Sequence, residues 1–242
     1  MADVIFLDLD GTLVDHRGAV FETIGRIARA SPNATAPPGE LADLWWALEA
    51  RHMGEYLAGE CSFGEHHRRR LRAFLPVLGE EVPDGDGLDA WIAERYLAPF
   101  AENWRCYPDV LPCLEELRGL EGRPRLAVLT NGNAGQQRAK LERFGLLDHV
   151  EAVLTPAELG VAKPHAYGAA CARMGVDPAR AVNVGDVLEG DARAAVRAGL
   201  TGVWLDRGVD FYTGGPSPEA DGSDLRIEAL TELTDVLARA TA

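Results

Sequence analysis

The chain has 242 residues, of which 24 are Lys or Arg and 38 are Asp or Glu, so its formal net charge at pH 7 is −14. This acidic balance disfavours nucleic acid and anionic membranes as partners, because both bind to basic surfaces. The sequence has no apolar stretch long enough to span a membrane, and acids interrupt its first apolar run, so we predict neither a membrane segment nor a signal peptide.

The cysteines of the chain indicate a reducing compartment. They form no Cys-x-x-Cys pair and have no histidines at the spacing of a metal site. We therefore expect free thiols in a cytoplasmic protein, and neither a disulfide framework nor a zinc site. The four residues are Cys61, Cys106, Cys113 and Cys171.

The first predicted element is a buried strand that ends in two acidic residues. The run Val4–Leu7 consists of branched and aromatic residues, which is typical of a strand inside a parallel sheet. Because side chains alternate along a strand, Asp8 and Asp10 should point to the same side. Gly11 then allows the backbone to turn close to a bound group. The ordinary alternative is a strand that simply stops at a polar, exposed turn.

Residues 16–105 are predicted to be all-helical, because their apolar residues recur at helical spacing. Ser62 and Glu65 fit a capping box at the start of one of these helices. The predicted helices cover residues 19–30, 41–57, a segment from 62 and residues 88–104, with a loop over 31–40. We therefore expect two domains, one formed by residues 1–15 and 106–242 and the other by residues 16–105.

From Tyr107 onwards, helices and strands are predicted to alternate. Strands are expected over residues 125–130, 150–154, 181–184 and 201–205, and helices over 110–120, 136–144, 164–174, 189–198 and 226–239. Pro164 is expected in the first turn of its helix. The alternation implies an α/β fold with a mainly parallel, Rossmann-like sheet and helices on both of its faces.

Four polar motifs fall near the predicted carboxyl ends of strands. Besides Asp8 and Asp10, they are Thr130-Asn131-Gly132, Lys163-Pro164, and Gly185-Asp186 followed by Asp191. Singly, the later three have ordinary explanations: a helix start, a solvated surface lysine, and acids that favour a helix N-terminus. Because open α/β sheets bind ligands at the carboxyl ends of their strands, the four together favour one shared site.

These motifs resemble those of the haloacid dehalogenase-like hydrolase superfamily, and the resemblance covers essentially the whole chain. It implies subfamily I, in which an all-helical cap domain of the C1 type follows the first motif. One run is similar to the branch of nucleotide monophosphatases and N-acylneuraminate phosphatases. This run comprises Thr130-Asn131-Gly132, Gln137, Lys140-Leu141 and Gly145-Leu146.

The resemblance implies a Mg²⁺ ion held by Asp8, Asp186 and the backbone carbonyl of Asp10, with Asp191 orienting the groups around it. On physical grounds, a phosphomonoester is doubly charged and repels an anionic nucleophile. Mg²⁺ neutralises this charge and prefers carboxylate, carbonyl and water oxygens as ligands.

The same resemblance implies roles for the remaining motif residues. Asp8 would attack the phosphorus atom and form an aspartyl-phosphate. Asp10 would protonate the departing alkoxide and then accept a proton from the attacking water. Thr130, Asn131 and Lys163 would bind the phosphoryl oxygens.

The function implied is that of a Mg²⁺-dependent phosphatase acting on a small phosphorylated metabolite, such as a sugar phosphate or a nucleotide monophosphate. The presence of Asp10 disfavours a dehalogenase, because the reaction of a dehalogenase has no departing alkoxide that needs a proton. A phosphomutase and a non-catalytic module that binds a phosphorylated ligand stay open. Val187, Ala166 and Ala169 replace the Ser, Pro and Phe that are usual in the family, which leaves the subfamily and substrate open. We expect a monomer or homodimer.

The predicted helical domain should choose the substrate. Its basic clusters are the run His66–Arg70 and Arg51-His52, and most of these residues are expected at the surface. We predict that one of them contacts a second anionic group of the substrate. Trp45, Trp46 and Trp91 lie among apolar residues of predicted helices and are expected in the core.

Overall fold

The computed structural model describes residues 2–240. The chain divides into two compact units. His16–Arg105 form one of them, called here the helical unit. The residues up to Asp15 and those from Cys106 onwards form the other, called the sheet unit. No helix among the described residues is both long and apolar enough to cross a membrane.

The helical unit contains the long helices of the chain. Its helices are α1 (His16–Ala30), α2 (Pro38–Leu57), α3 (Phe63–Leu78), α4 (Gly85–Trp91) and α5 (Ala98–Glu102), and the segment Ile92–Leu97 is π-helical. The Ser62 side chain accepts a hydrogen bond from the backbone N–H of Glu65 and so caps α3.

Aromatic side chains form the core of the helical unit. Trp45 is fully buried, and its ring centroid lies 4.9 Å from that of Phe74 and 4.6 Å from that of Tyr96. Trp46 and Trp91 are also buried. The interpretation of these tryptophans as core residues therefore agrees with the structure.

The arginines of the His66–Arg70 run are each paired with a carboxylate of the helical unit. Arg70 is 2% exposed, whereas its neighbours lie nearer the surface. The pairs are Arg68 with Asp89 (2.8 Å), Arg69 with Glu55 (2.8 Å) and Arg70 with Glu49 (2.5 Å). These pairs lend no support to the prediction that one of the arginines contacts a second anionic group of the substrate.

A parallel sheet forms the centre of the sheet unit. Its strands are β1 (Val4–Leu7), β2 (Arg125–Leu129), β3 (Ala152–Leu154), β4 (Ala181–Gly185), β5 (Thr201–Leu205) and β6 (Leu225–Ile227). They lie in the order β3-β2-β1-β4-β5-β6, and all neighbouring strands are parallel. The strand order reverses at β1, so the carboxyl ends of β1 and β4 flank the crevice in which open α/β sheets bind ligands.

Helices cover both faces of this sheet. They are α6 (Val110–Gly119), α7 (Ala134–Arg143), α8 (Pro156–Leu159), α9 (Tyr167–Met174), α10 (Ala194–Arg197) and α11 (Leu233–Ala240). Ile5 and Leu7 pack in one layer with α6 and α11, whereas Val4 and Phe6 pack in the other with α9 and α10. Burial on both faces explains the unbroken apolar run of β1. The prediction of an α/β fold with a parallel, Rossmann-like sheet is confirmed.

The structure corrects the predicted bounds of two helices. The sequence predicts one helix over residues 226–239, but Leu225–Ile227 pair with β5 as an edge strand, and α11 begins at Leu233. A strand of three residues carries too little periodicity to be distinguished from a helix start. The helix predicted over 164–174 begins at Tyr167, so Pro164 lies before the helix and not in its first turn. In that segment His165 N donates to Ala162 O (2.9 Å) in a turn.

Candidate active site

Asp8 follows β1 directly and shares a lysine with a second carboxylate. The backbone N–H of Asp8 donates to Val184 O of β4 (2.9 Å), which holds Asp8 at the carboxyl edge of the sheet. Lys163 Nζ lies 2.6 Å from Asp8 Oδ1 and 2.6 Å from Asp191 Oδ1. Burial would lower the pKa of Lys163, but the charges of Asp191 and Asp8 outweigh it and raise this pKa well above its usual value. The Lys163 side chain therefore stays protonated and carries a positive charge.

Three carboxylates of the sheet unit converge in a way that suits a divalent cation. Asp8, Asp186 and Asp191 each offer an oxygen, and these oxygens all lie within 4.8 Å of one another. Burial, followed by the charge of Asp191, raises the pKa of Asp8 to about 6 against the opposing effect of Lys163. Burial and the charge of Asp8 also raise the pKa of Asp186 well above its usual value. Three carboxylates exceed the charge of one ammonium group, and hard divalent cations take such oxygen ligands.

Asp186 is placed in this group by the loop that follows β1. Thr12 Oγ1 donates to Asp186 Oδ1 (3.0 Å) and accepts a hydrogen bond from Asp186 N (3.1 Å). Gly11 has a φ of 95°, and a Cβ atom at this position would lie 2.2 Å from Asp186 Oδ2. The loop can therefore approach Asp186 only because residue 11 has no side chain. Trp204 Nε1 donates to Asp186 O (3.0 Å) and holds the backbone from the other side.

Asp191 has a hydrogen-bond partner on each of its carboxylate oxygens. Oδ1 accepts from Lys163 Nζ, and Oδ2 accepts from the backbone N–H of Val187 (3.1 Å). The Tyr167 hydroxyl donates to Gly190 O (2.8 Å) and so fixes the turn that carries Asp191. Because both oxygens already accept hydrogen bonds, these contacts suit a residue that orients its neighbours. They suit less well a residue that directs both of its oxygens to a metal.

The motif that follows β2 contains Thr130 and Asn131, and the two side chains have different partners. Thr130 Oγ1 accepts hydrogen bonds from Gly132 N (3.2 Å) and from Gln137 Nε2 (2.8 Å). Asn131 Oδ1 accepts from Lys163 N (2.8 Å), and Asn131 Nδ2 donates to Lys163 O (3.1 Å). The Asn131 side chain thus holds the backbone of Lys163. The predicted contact of Asn131 with phosphate therefore rests on its backbone N–H.

The Asp10 side chain contacts two residues of α7. Asp10 Oδ1 accepts from Lys140 Nζ (2.5 Å), and Oδ2 accepts from Gln137 Nε2 (2.6 Å). Both donors are fully buried. Sequence reasoning noted Gln137 and Lys140 only as part of a family resemblance. Their spacing of three residues, beside the buried Leu141, is the signal that places them on the inner face of a helix.

Arg207 is a residue of the site that sequence reasoning missed. It follows β5, and its Nε and Nη2 donate to the carbonyls of Gly11 (3.2 Å) and Thr12 (2.8 Å). Asp109 pairs with the guanidinium (3.1 Å), which lies over the ring of Tyr107 at 3.8 Å from the centroid. Arg207 thereby connects the loop that follows β1 to the segment before α6. No local sequence pattern marks this contact, because its partners lie far apart in the chain.

The family of the chain follows from a comparison with family models. Residues 2–199 match the model described as haloacid dehalogenase-like hydrolase. The chain belongs to this family. The predicted resemblance is confirmed.

Two phosphatases match the chain along nearly its whole length, and a third matches about half of it. Glyceraldehyde 3-phosphate phosphatase of Methanopyrus kandleri is 34% identical over 239 residues, which cover 98% of this chain and 97% of the relative. Phosphoserine phosphatase of Thermus thermophilus is 32% identical over 253 residues, 95% of this chain and 98% of the relative. N-acylneuraminate-9-phosphatase of Homo sapiens is 34% identical over 132 residues, 52% of each chain. The last of these belongs to the branch that the sequence resembles.

Solved structures of the hydrolase family have the same fold. L-2-haloacid dehalogenase of Xanthobacter autotrophicus superimposes with a TM-score of 0.76 at 25% identity, over 100% of both chains. The match spans both units of the present chain. The family therefore contains both phosphatases and dehalogenases among the relatives of this protein.

Proposed function

We propose that this hydrolase is a Mg²⁺-dependent phosphatase that cleaves a small phosphomonoester through a phosphorylated Asp8. The observation that carries the proposal is the buried Asp8 beside Lys163, with two further carboxylates in reach and Asp10 two residues along the chain. A haloacid substrate has no alkoxide to protonate, so the presence of Asp10 favours a phosphomonoester. The full-length relatives named above, both of them phosphatases, support the same choice.

In the first step, an oxygen of Asp8 attacks phosphorus and the bond from phosphorus to the ester oxygen breaks. The electron pair of that bond stays on the leaving oxygen, which takes a proton from Asp10. Lys163 and the hydroxyl of Thr130 bind the phosphoryl oxygens and offset the charge that develops there. Backbone N–H groups of the loop after Asp8 would add further donors.

In the second step, water attacks the phosphorus atom of the phosphorylated Asp8. Asp10, now a carboxylate, accepts the proton of the water, and the bond between phosphorus and the Asp8 oxygen breaks. Inorganic phosphate and the free Asp8 carboxylate result. Asp191 holds Lys163 in place throughout, because its Oδ1 accepts from the same ammonium group that contacts Asp8.

The residues present fit a divalent cation, and we propose Mg²⁺. Asp8, Asp186 and the backbone carbonyl of Asp10 would hold it. A bound cation would neutralise the negative charge of the phosphoryl group as Asp8 approaches. Burial first, and then the negative charges of the neighbouring carboxylates, raise the pKa of Asp8 and that of Asp186, and a bound cation would offset these effects.

The helical unit is proposed to act as the cap domain and to select the substrate. The substrate class proposed is a small phosphorylated metabolite, as the names of the relatives suggest. The cytoplasmic location, the monomeric or homodimeric state and the lack of a nucleic-acid partner stay predictions of the sequence.

The proposal is tested by phosphate release from a panel of small phosphomonoesters, with Mg²⁺ or with EDTA, for the wild type and Asp8→Asn. The panel includes p-nitrophenyl phosphate, phosphoserine, glyceraldehyde 3-phosphate and a nucleoside monophosphate. We expect release that needs Mg²⁺ and is lost in Asp8→Asn. Two further assays test the alternatives. Release of halide from 2-chloropropionate would indicate a dehalogenase, and transfer of phosphate between two positions of a sugar would indicate a phosphomutase. Dehalogenase or phosphomutase activity without release of phosphate would contradict the proposal.

A further inference from the structure

Helix α7 carries two polar residues on its buried face, and both contact Asp10. Gln137 and Lys140 are three residues apart, and each has an exposed fraction of 0%. They occupy one carboxylate oxygen each, Gln137 Nε2 at 2.6 Å and Lys140 Nζ at 2.5 Å. The direction of the Asp10 side chain is therefore set by donors from a different element of the fold.

Gln137 also links Asp10 to Thr130. A side-chain amide nitrogen has two hydrogens, and here Nε2 donates one to Asp10 Oδ2 and one to Thr130 Oγ1 (2.8 Å). The Thr130 oxygen already accepts from Gly132 N, so both of its acceptor positions are used and its own hydrogen is left to donate. One amide thus sets the direction of two groups that act at opposite ends of the bond to be broken.

The surrounding chain makes room for this amide. A Cβ atom on Gly132 would lie 2.2 Å from Gln137 Nε2, so the amide fills the space that a side chain at residue 132 would need. Gln137 Oε1 is buried and has no hydrogen-bond partner among the described residues. A flipped amide would lose the hydrogen bonds that Nε2 donates to Asp10 Oδ2 and Thr130 Oγ1, so the observed orientation keeps both of them at the cost of an unpaired oxygen.

A fully buried ammonium group is also costly to keep. Desolvation of Lys140 opposes folding, and an apolar side chain such as that of the adjacent Leu141 would fill the space without this cost. The combination of a buried cation, a buried amide and a glycine that admits them points to a role in the reaction.

We propose that Gln137 and Lys140 are positioning residues that hold Asp10 in line for proton transfer to the leaving oxygen and from the attacking water. This inference rests on the proposed phosphatase function. Neither residue touches the substrate; both act through Asp10, and Gln137 acts also through Thr130. Their effect should therefore depend on how much the leaving group needs a proton.

The test compares two leaving groups in the first turnover. p-Nitrophenolate departs without a proton, whereas the alkoxide of glycerol 3-phosphate needs one. Gln137→Met and Lys140→Met remove the donors at similar volume. We expect rapid-quench measurements to show that release of glycerol falls at least about tenfold in each variant, and by no more than the roughly 10,000-fold that general acid catalysis can supply. Release of p-nitrophenol in the first turnover should stay within about threefold of wild type in Lys140→Met. In Gln137→Met, which also loses the hydrogen bond to Thr130, it should fall less than the release of glycerol does.

Steady-state turnover should fall for both substrates, because Asp10 activates water in the second step whichever ester is used. KM should change little. Arg138→Met is the matched control: Arg138 lies on the same helix but is exposed and pairs with Glu142 (3.7 Å), so its loss should leave all these rates unchanged. If Lys140→Met does not fold, Gln137→Met, which keeps the ion pair of Asp10 with Lys140, makes the same comparison.

Equal loss for both leaving groups in the first turnover would overturn the inference, since it would indicate general damage to the site. No loss for either would overturn it as well. Both results leave the proposed function intact, because wild-type phosphate release tests that separately. A wild type that releases no phosphate from any phosphomonoester would instead contradict the proposed function itself.

Discussion

Replacing Gly11 by alanine should displace Asp186 and weaken both metal binding and turnover. A Cβ atom at residue 11 would lie 2.2 Å from Asp186 Oδ2, whereas ordinary contact begins at 3.4 Å, so the carboxylate has to withdraw by about 1.2 Å. A misplacement of about 1 Å in an active site costs about 100-fold in rate. The φ of 95° is also unfavourable for alanine and should lower the free energy of unfolding by about 1–3 kcal/mol.

Two other glycines separate these effects. Gly175 has a φ of 61° but open space around it, so Gly175→Ala carries backbone strain without a clash. Gly168 lies in α9 with open space around it, and Gly168→Ala should be neutral or stabilising.

The assays are kcat at saturating Mg²⁺, Mg²⁺ affinity by calorimetry, and urea unfolding. We expect Gly11→Ala to lose about 100-fold in kcat and to bind Mg²⁺ more weakly, whereas Gly175→Ala should lose stability alone. If Gly11→Ala binds Mg²⁺ and turns over as Gly175→Ala does, the reasoning about the loop is refuted.

Three further predictions concern metal, pH and the loop clamp. Mg²⁺ at about 100 times its Kd should raise the free energy of unfolding by about 2.7 kcal/mol; Asp186→Asn should remove this gain in urea titrations, and a full gain in the variant would contradict the assignment. Burial, with the charge of Arg70, lowers the pKa of His66 from 6.5 to about 4, so the neutral ring stabilises the fold above about pH 6.5 and this contribution is lost as the pH falls towards 4. Over that range the wild type should lose about 3 kcal/mol more in urea unfolding than His66→Asn does, and an equal loss in the two proteins would show that another group titrates. Arg207→Met frees two carbonyls of the loop after β1 and should weaken Mg²⁺ binding in calorimetry without changing the unfolding of the helical unit; unaltered affinity would argue against the clamp.

The sequence was informative wherever a local pattern carried the signal. The apolar run of β1 and the alternation after Tyr107 specify a parallel sheet, because burial on both faces requires continuous apolar strands. The motifs at Asp8, Thr130 and Asp186 could be found because each directly follows a strand and parallel strands end at one edge, whereas Lys163 follows α8. Fold and family were therefore predictable before any contact was known.

Elements without a periodic pattern of their own were predicted less well. Leu225–Ile227 became a strand only because the edge of β5 was free to pair with it. The backbone of Lys163 is held by the Asn131 side chain, which keeps the segment after it in a turn where the sequence predicted a helix. In both cases a partner distant in sequence outweighed local preference.

The sequence alone placed the candidate residues near strand ends, and its resemblance to a known family implied the phosphoryl-transfer chemistry proposed for them. Only the tertiary structure decided what holds them. Lys140 and Arg207 contact Asp10 and the loop of Gly11 across 130 and 196 residues of chain, respectively. Such contacts depend on the packing of one helix and one loop against β1. The periodicity of side chains along the sequence predicts which face of an element is buried, but it does not predict which residues that face will contact.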